Sequence, residues 1–112
     1  MSCVFCEIVK GNLNSDIIYE DEEILAFKDI EPKAPVHFLV IPKKHIKSVL
    51  ELSEEDLAVI SKIFWNIKDI AQNLGLEKGF RIINNCGDDG GQTVSHIHFH
   101  VLGKRKMNWP PG

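Results

Sequence analysis

Three histidines alternate with apolar residues in His96-Ile97-His98-Phe99-His100-Val101. Extended chain has a side-chain period of two. The spacing therefore predicts three imidazoles on one face of a strand, with Ile97, Phe99 and Val101 on the other. A lone histidine on a strand is an ordinary half-exposed residue; a clustered row marks a site. Two chemistries suit such a row. It could bind a transition metal, because imidazole is a good ligand for zinc, copper and nickel. It could also supply acids, bases and a nucleophile, because imidazole titrates near neutral pH. The stretch Asn85-Cys86-Gly87-Asp88-Asp89-Gly90-Gly91-Gln92-Thr93 runs into the row and bears on this choice. Its glycines let backbone N–H groups turn toward a phosphate, and Gln92 and Thr93 add side-chain donors. By itself such a stretch is an ordinary turn. Beside three histidines it points to a phosphoryl group, which a neutral imidazole nitrogen can attack to split hydrolysis into two easier steps.

A second constellation lies at the N-terminus. Cys3-Val4-Phe5-Cys6 places two thiols three residues apart, and on a helix such positions share a face. Two thiolates need two more ligands to close a tetrahedral zinc site. The bare pair is equally compatible with two reduced cysteines in a buried helix. Cys86 reads as a small, partly buried residue without an assigned role.

The elements that must position these groups are legible from periodicity. Residues Cys3 to Lys10 read as a short helix, with Ser2 as cap and Gly11 as stop. Ile17-Ile18-Tyr19 and Ile24-Leu25-Ala26-Phe27 read as strands joined by the acidic turn Glu20 to Glu23. His37-Phe38-Leu39-Val40-Ile41 reads as a strand stopped by Pro42. A long helix starts at Ser53, with Glu54, Glu55 and Asp56 in the first turn, where carboxylates meet the positive helix end. Its apolar stripe is Leu57, Ile60, Phe64, Ile67, Ala71 and Leu74, widened by Val59, Ile63 and Ile70. Gly75 stops it. Phe80 to Asn84 and His96 to Leu102 complete five strands, with the glycine-rich stretch 87–92 as a tight loop between them. Helices that do not alternate regularly with strands indicate an α+β domain, residues 1–112, with a largely antiparallel sheet, one long helix and one short one.

Composition sets the limits. The chain has 112 residues, 44% hydrophobic and 26% charged, with a formal charge of −3. That balance argues against bulk electrostatic binding to nucleic acid or an anionic membrane, which requires many neutralised phosphates. A small anion in a local pocket remains compatible with it. The N-terminus lacks a basic region followed by an apolar stretch, so no signal peptide is read there. No segment approaches a membrane span in apolar length. Three cysteines, an odd number, argue against a disulfide framework, and the expected compartment is the reducing cytoplasm.

The motifs together resemble the histidine-triad family. His96 to Leu102 is similar to its signature of histidines alternating with hydrophobic residues. Residues 29–45, from Asp29-Ile30-Glu31-Pro32 to Pro42-Lys43-Lys44-His45, resemble its central block, and Gly90-Gly91-Gln92-Thr93-Val94 its phosphate loop. The tail Trp109-Pro110-Pro111-Gly112 resembles that of the nucleotide-binding branch, the purine nucleoside phosphoramidases. The resemblance implies that His98 is the nucleophile, that His100 lies against the phosphate oxygens, and that His37 completes the cluster. It implies that Asn85, Gly91, Gln92 and Thr93 sit at phosphate and leaving-group positions, and that Asp29 accepts the ribose hydroxyls. Val4, Phe5, Ile8, Phe27 and Ile30 would form the apolar slot for the base. Thr93 stands where serine is common in this branch, and Lys28 where some relatives carry histidine. In a subset of the family, Cys3, Cys6, His45 and His96 would hold a structural zinc. That assignment requires His96 to leave the face it shares with His98. The family also implies a purine nucleotide as substrate or product, and a homodimer whose two sheets join into one. Two further readings stay open: a nucleotide-binding or interaction module with vestigial catalysis, and a metal-binding protein whose triad is the metal site.

Overall fold

A computed structural model describes residues 3–112. Five strands form one antiparallel sheet: β1 (Ile17–Glu20), β2 (Ile24–Lys28), β3 (Val36–Pro42), β4 (Phe80–Ile83) and β5 (Phe99–Gly103). Their order across the sheet is β1-β2-β3-β5-β4. The helices are α1 (Val4–Val9) and α2 (Leu57–Asn73), so the α+β architecture with one short and one long helix stands. Short 3-10 turns at Val49–Glu51 and Glu54–Asp56 lead into α2. Among the described residues no helix is long and apolar enough to cross a membrane.

Strand alternation sends the core to two sides of the sheet. Ile24, Ala26, Phe38, Val40, Phe99 and Val101 pack with α2 in one cluster. Leu25, Phe27, Leu39 and Ile41 face the other way and pack with Phe5 of α1. The second side is the one that matters for chemistry. Leu39 pairs with His100 and His37 with Leu102 across β3 and β5. His37, Leu39 and His100 therefore share the α1 face, together with Asp29, which follows Phe27 by two residues.

Three details differ from the sequence reading. First, α1 is capped by Cys3, whose Sγ accepts from the Cys6 N–H at 3.5 Å; the expected cap, Ser2, lies outside the described residues. Second, α2 buries Val59, Ile63, Ile67, Ile70 and Ala71, whereas Leu57 and Phe64 from the expected stripe are exposed, at 60% and 47%. Apolar residues cover more than half the circumference of this helix, so periodicity alone does not choose which flank meets the sheet.

Third, β5 begins at Phe99, not at His96. Continuing its register with β3 would bring Ile97 opposite Pro42, which has no N–H to donate. The chain instead turns away. Ile97 N–H donates to the Ile46 carbonyl at 2.6 Å, and His96 Nε2 donates to the Pro42 carbonyl at 2.8 Å. The expected row of three imidazoles on one strand face is thus broken at His96.

The burial pattern gives a direct test of the α2 assignment. Ile63→Ala should cost about 2–5 kcal/mol of unfolding free energy, as cavity-forming core substitutions do. Trp65→Ala, at a position 66% exposed, should stay within about 0.5 kcal/mol. Urea unfolding of both variants measures the contrast.

Candidate functional site

Three side chains, His37, His100 and Asp29, are chained together on the α1 face by hydrogen bonds that fix their protons. The backbone N–H of Lys33 donates to His37 Nδ1 at 3.0 Å. A neutral imidazole carries one N–H, so the proton of His37 sits on Nε2. That nitrogen lies 2.9 Å from His100 Nδ1 and 3.3 Å from Asp29 Oδ2. Both are acceptors, so His100 in turn carries its proton on Nε2. The other oxygen of Asp29 accepts from the Glu31 N–H at 2.8 Å, which holds the carboxylate in place. Burial pushes both imidazoles down from the ordinary histidine range, His100 to about 4, with the neighbouring histidines adding to the shift at His100. Both rings are neutral at physiological pH.

His98 is held differently. Its Nδ1 lies 2.8 Å from the backbone carbonyl of His96. A carbonyl can only accept, so Nδ1 carries the proton and Nε2 keeps a free lone pair. Asn84, at the end of β4, donates through its side-chain amide to the His98 carbonyl at 2.9 Å. The ring meets Phe5 edge-on at 5.1 Å and His100 at 5.1 Å between centroids. His98 is thus a buried imidazole with one nitrogen committed as donor and the other available as a nucleophile or base.

Asp29, His98 and His100 open onto a cavity of about 460 Å³, with His37 behind them. Val4, Phe5, Ile8, Phe27 and Leu39 form its apolar wall, while Asp29, Thr93, His98 and His100 supply polar groups. Ile30 stands at the rim, 92% exposed. Leu13, Asn14 and Ser15 also line it, which the sequence reading missed; they lie in an irregular stretch with no periodicity to mark it. Asn85, Gly91 and Gln92 lie outside this lining. Gln92 is committed to backbone partners that brace its loop against the segment after β3: Oε1 accepts from Gly87 N–H at 2.9 Å, and Nε2 donates to the Lys47 and Val94 carbonyls at 2.7 and 2.9 Å. The loop needs its glycines. Gly91 has φ of 75°, and a Cβ on Gly90 would overlap the Cys86 carbonyl.

His96 turns its ring away from the cavity, into a cluster with Cys3, Cys6 and His45. All four ligand atoms lie within 4.8 Å of one another. His96 Nδ1 is 3.5 Å from Cys3 Sγ, 3.6 Å from Cys6 Sγ and 3.2 Å from His45 Nδ1, and Cys6 Sγ is 3.3 Å from His45 Nδ1. A tetrahedral zinc with ordinary Zn–S and Zn–N bonds has edges of roughly 3.3–3.8 Å, so the donor set fits that ion. The Pro42 carbonyl accepts a hydrogen bond from Nε2–H of His96, which leaves the Nδ1 lone pair facing the thiols and fixes the ring for a metal. The bend at His96 supplies the separation from His98 that such a site requires.

Asp29, His37 and His100 also bring three ligand atoms together. Here the hydrogen bonding opposes a metal. Lys33 N–H occupies His37 Nδ1, so Nε2 is protonated and cannot offer a lone pair without abandoning that bond. The same separation bears on the reading in which the triad itself binds metal: His96 belongs to the cysteine cluster, while His98 and His100 face the cavity.

The chain matches a family model described as scavenger mRNA decapping enzyme C-term binding over residues 2–109. It is 46% identical over 109 residues to an uncharacterized HIT-like protein of Synechococcus elongatus, covering 97% of this chain and 96% of that one. The fold superimposes on the crystal structure of a HIT family hydrolase from Legionella pneumophila with a TM-score of 0.97 at 46% identity, covering 99% and 100% of the two chains. A Zn-bound histidine triad family protein from Mycobacterium smegmatis gives a TM-score of 0.81 at 40% identity, covering 95% of this chain and 77% of the other. With the histidine geometry described above, these likenesses place the chain in the histidine-triad (HIT) family.

Proposed function

We propose that the protein is a nucleotide hydrolase that cleaves purine nucleoside 5'-phosphoramidates, or related nucleotidyl conjugates, through a nucleotidyl-His98 intermediate. One observation carries the reading: the His96 carbonyl holds the proton of His98 on Nδ1 at 2.8 Å and leaves Nε2 free beside an apolar cavity. The lone pair of Nε2 attacks phosphorus, the P–N bond breaks, and the amine leaves with a proton drawn from solvent, which the water consumed in the second step returns. Water then attacks the phosphorus of the nucleotidyl-imidazole and releases the nucleoside monophosphate, and His98 regains its lone pair. His100 presents Nε2–H, a donor toward charge developing on the phosphoryl oxygens, which is where electrostatic stabilisation matters most. His37 fixes that tautomer. In this scheme Asp29 accepts the ribose hydroxyls, and Phe5, Ile8, Phe27 and Ile30 flank the base. Thr93 adds a hydroxyl at the phosphate end. Asn85, Gly91 and Gln92 act through the shape of the loop that Gln92 braces. The likeness to a HIT family hydrolase supports hydrolysis as the reaction class.

Zinc at Cys3, Cys6, His45 and His96 is structural and takes no direct part in bond cleavage in this scheme, since its four protein ligands leave no open position. The donor geometry and the likeness to a Zn-bound relative support it. The functional unit is a homodimer. β4 is one edge of the sheet, and α2 leaves Leu57 and Phe64 exposed. The opposite edge, β1, carries a bulge that discourages pairing. Two β4 edges meeting across a two-fold axis would join the sheets, and light scattering should give twice the chain mass.

His98→Ala should lower turnover of adenosine 5'-phosphoramidate by at least about 10³-fold while AMP still binds. A loss of only a few-fold would leave the alternative of a binding module with vestigial catalysis. A second expectation concerns pH. His100 is neutral when folded down to about pH 4, whereas an unfolded chain protonates it near the ordinary value of about 6.5. Its burial contribution is therefore fully present above about 6.5 and is lost as pH falls toward 4. Thermal melts should show the midpoint falling across that window, and His100→Asn should flatten the fall.

A further inference from the structure

The metal-ligand cluster and the His98 ring belong to one connected piece of structure. His96 offers Nδ1 to the cluster and its carbonyl to His98 Nδ1. Cys3 and Cys6 bracket Phe5, whose ring meets His98 at 5.1 Å and His96 at 5.9 Å, both edge-on. α1 is six residues long, and Phe5 is its one buried residue. A helix this short is not stable on its own. Its Val4, Phe5 and Ile8 nevertheless form one wall of the cavity. We infer that a metal bound by Cys3, Cys6, His45 and His96 is a positioning element of the active site: it orients the His98 ring and assembles the wall that meets the nucleotide base.

Two linkages run from the cluster. Through His96, a metal on Nδ1 and the Pro42 carbonyl on Nε2–H hold the ring at both nitrogens, and so hold the carbonyl that sets the tautomer of His98. Through α1, metal bonds to both sulfurs clamp the helix against the sheet and keep Phe5 on His98. Without metal, the Cys3 sulfur keeps a weak cap bond of 3.5 Å, and α1 rests on Phe5 with the partly buried Cys3, Ile8 and Val9. Metal loss then weakens base binding through the wall and turnover through the ring. A remote structural ion would change neither independently of global stability.

The test strips the protein with a chelator, reloads it with Zn²⁺ and compares both forms. Calorimetry should show AMP binding at least about tenfold tighter in the loaded protein. Long-range ¹H–¹⁵N spectra at one mildly alkaline pH should show a single Nδ1–H tautomer of His98 in the loaded form and an averaged signal in the stripped form. Cys3→Ser/Cys6→Ser should behave like the stripped protein; serine still caps α1, so that result assigns the effect to the metal and not to the cap. Equal AMP affinity and one unchanged His98 signal in both forms would overturn the inference. Global unfolding on stripping, seen as loss of the circular dichroism of the whole fold, would also overturn it. The inference rests on the nucleotide reading only for its probe. Failure of the loaded protein to bind AMP would refute that reading, and the tautomer spectrum would still decide this one.

Discussion

A 2.8 Å hydrogen bond from His98 Nδ1 to the carbonyl of His96 sets the chemical character of the cavity. Imidazole has two nitrogens and, when neutral, one proton. Which nitrogen carries it decides whether the ring attacks or donates. A backbone carbonyl cannot donate, so this contact removes the ambiguity. It exists because β5 stops short of His96, where the partner strand β3 ends at a proline. A regular strand would have sent that carbonyl into the ladder and placed His96 beside His98. The same bend delivers the His96 ring to Cys3, Cys6 and His45.

His37, His100 and His96 are also fixed by hydrogen bonds, with different outcomes. His37 accepts from a backbone N–H and so presents a proton; His100 accepts that proton and so presents its own. His96 donates to a carbonyl and so presents a lone pair. Three of the four rings take donor or acceptor roles from the backbone groups they meet, and His100 takes its role from His37. This also separates the two clusters of ligand atoms: one offers lone pairs to a metal, and the other is already closed by protons. The sheet makes such contacts dependable. Phe38, Val40 and Val101 are fully buried beneath the strands that carry His37 and His100, and close-packed interiors resist small displacements.

Much of this was legible in the sequence. The alternation at His96 to Val101 marked the site, and the strand and helix order gave the α+β class. The residues resembling the family's ribose, base and phosphate positions include Asp29, Phe5, Phe27 and Thr93, which the fold brings to one cavity. What escaped was tertiary. The bend at His96 depends on where Pro42 falls in the register of a strand more than fifty residues away. The tautomers of His37 and His100 depend on the N–H of Lys33, a group every residue but proline carries. The commitment of Gln92 to backbone partners in its loop and at Lys47, and of Asn84 to the His98 carbonyl, leaves no mark on residue type or spacing. The buried flank of α2 was ambiguous because Leu57, Phe64 and Trp65 extend its apolar surface beyond what the sheet covers.

The central claim is that the Nε2 lone pair of His98 forms the covalent intermediate. Rapid acid-free quenching of the protein with adenosine 5'-phosphoramidate, followed by peptide mass spectrometry, reads this directly. The account predicts an adenylyl group on the peptide that contains His98, localised to that residue and accumulating before steady state. An adduct on His37, His96 or His100, or turnover with no protein adduct at any time, would contradict it.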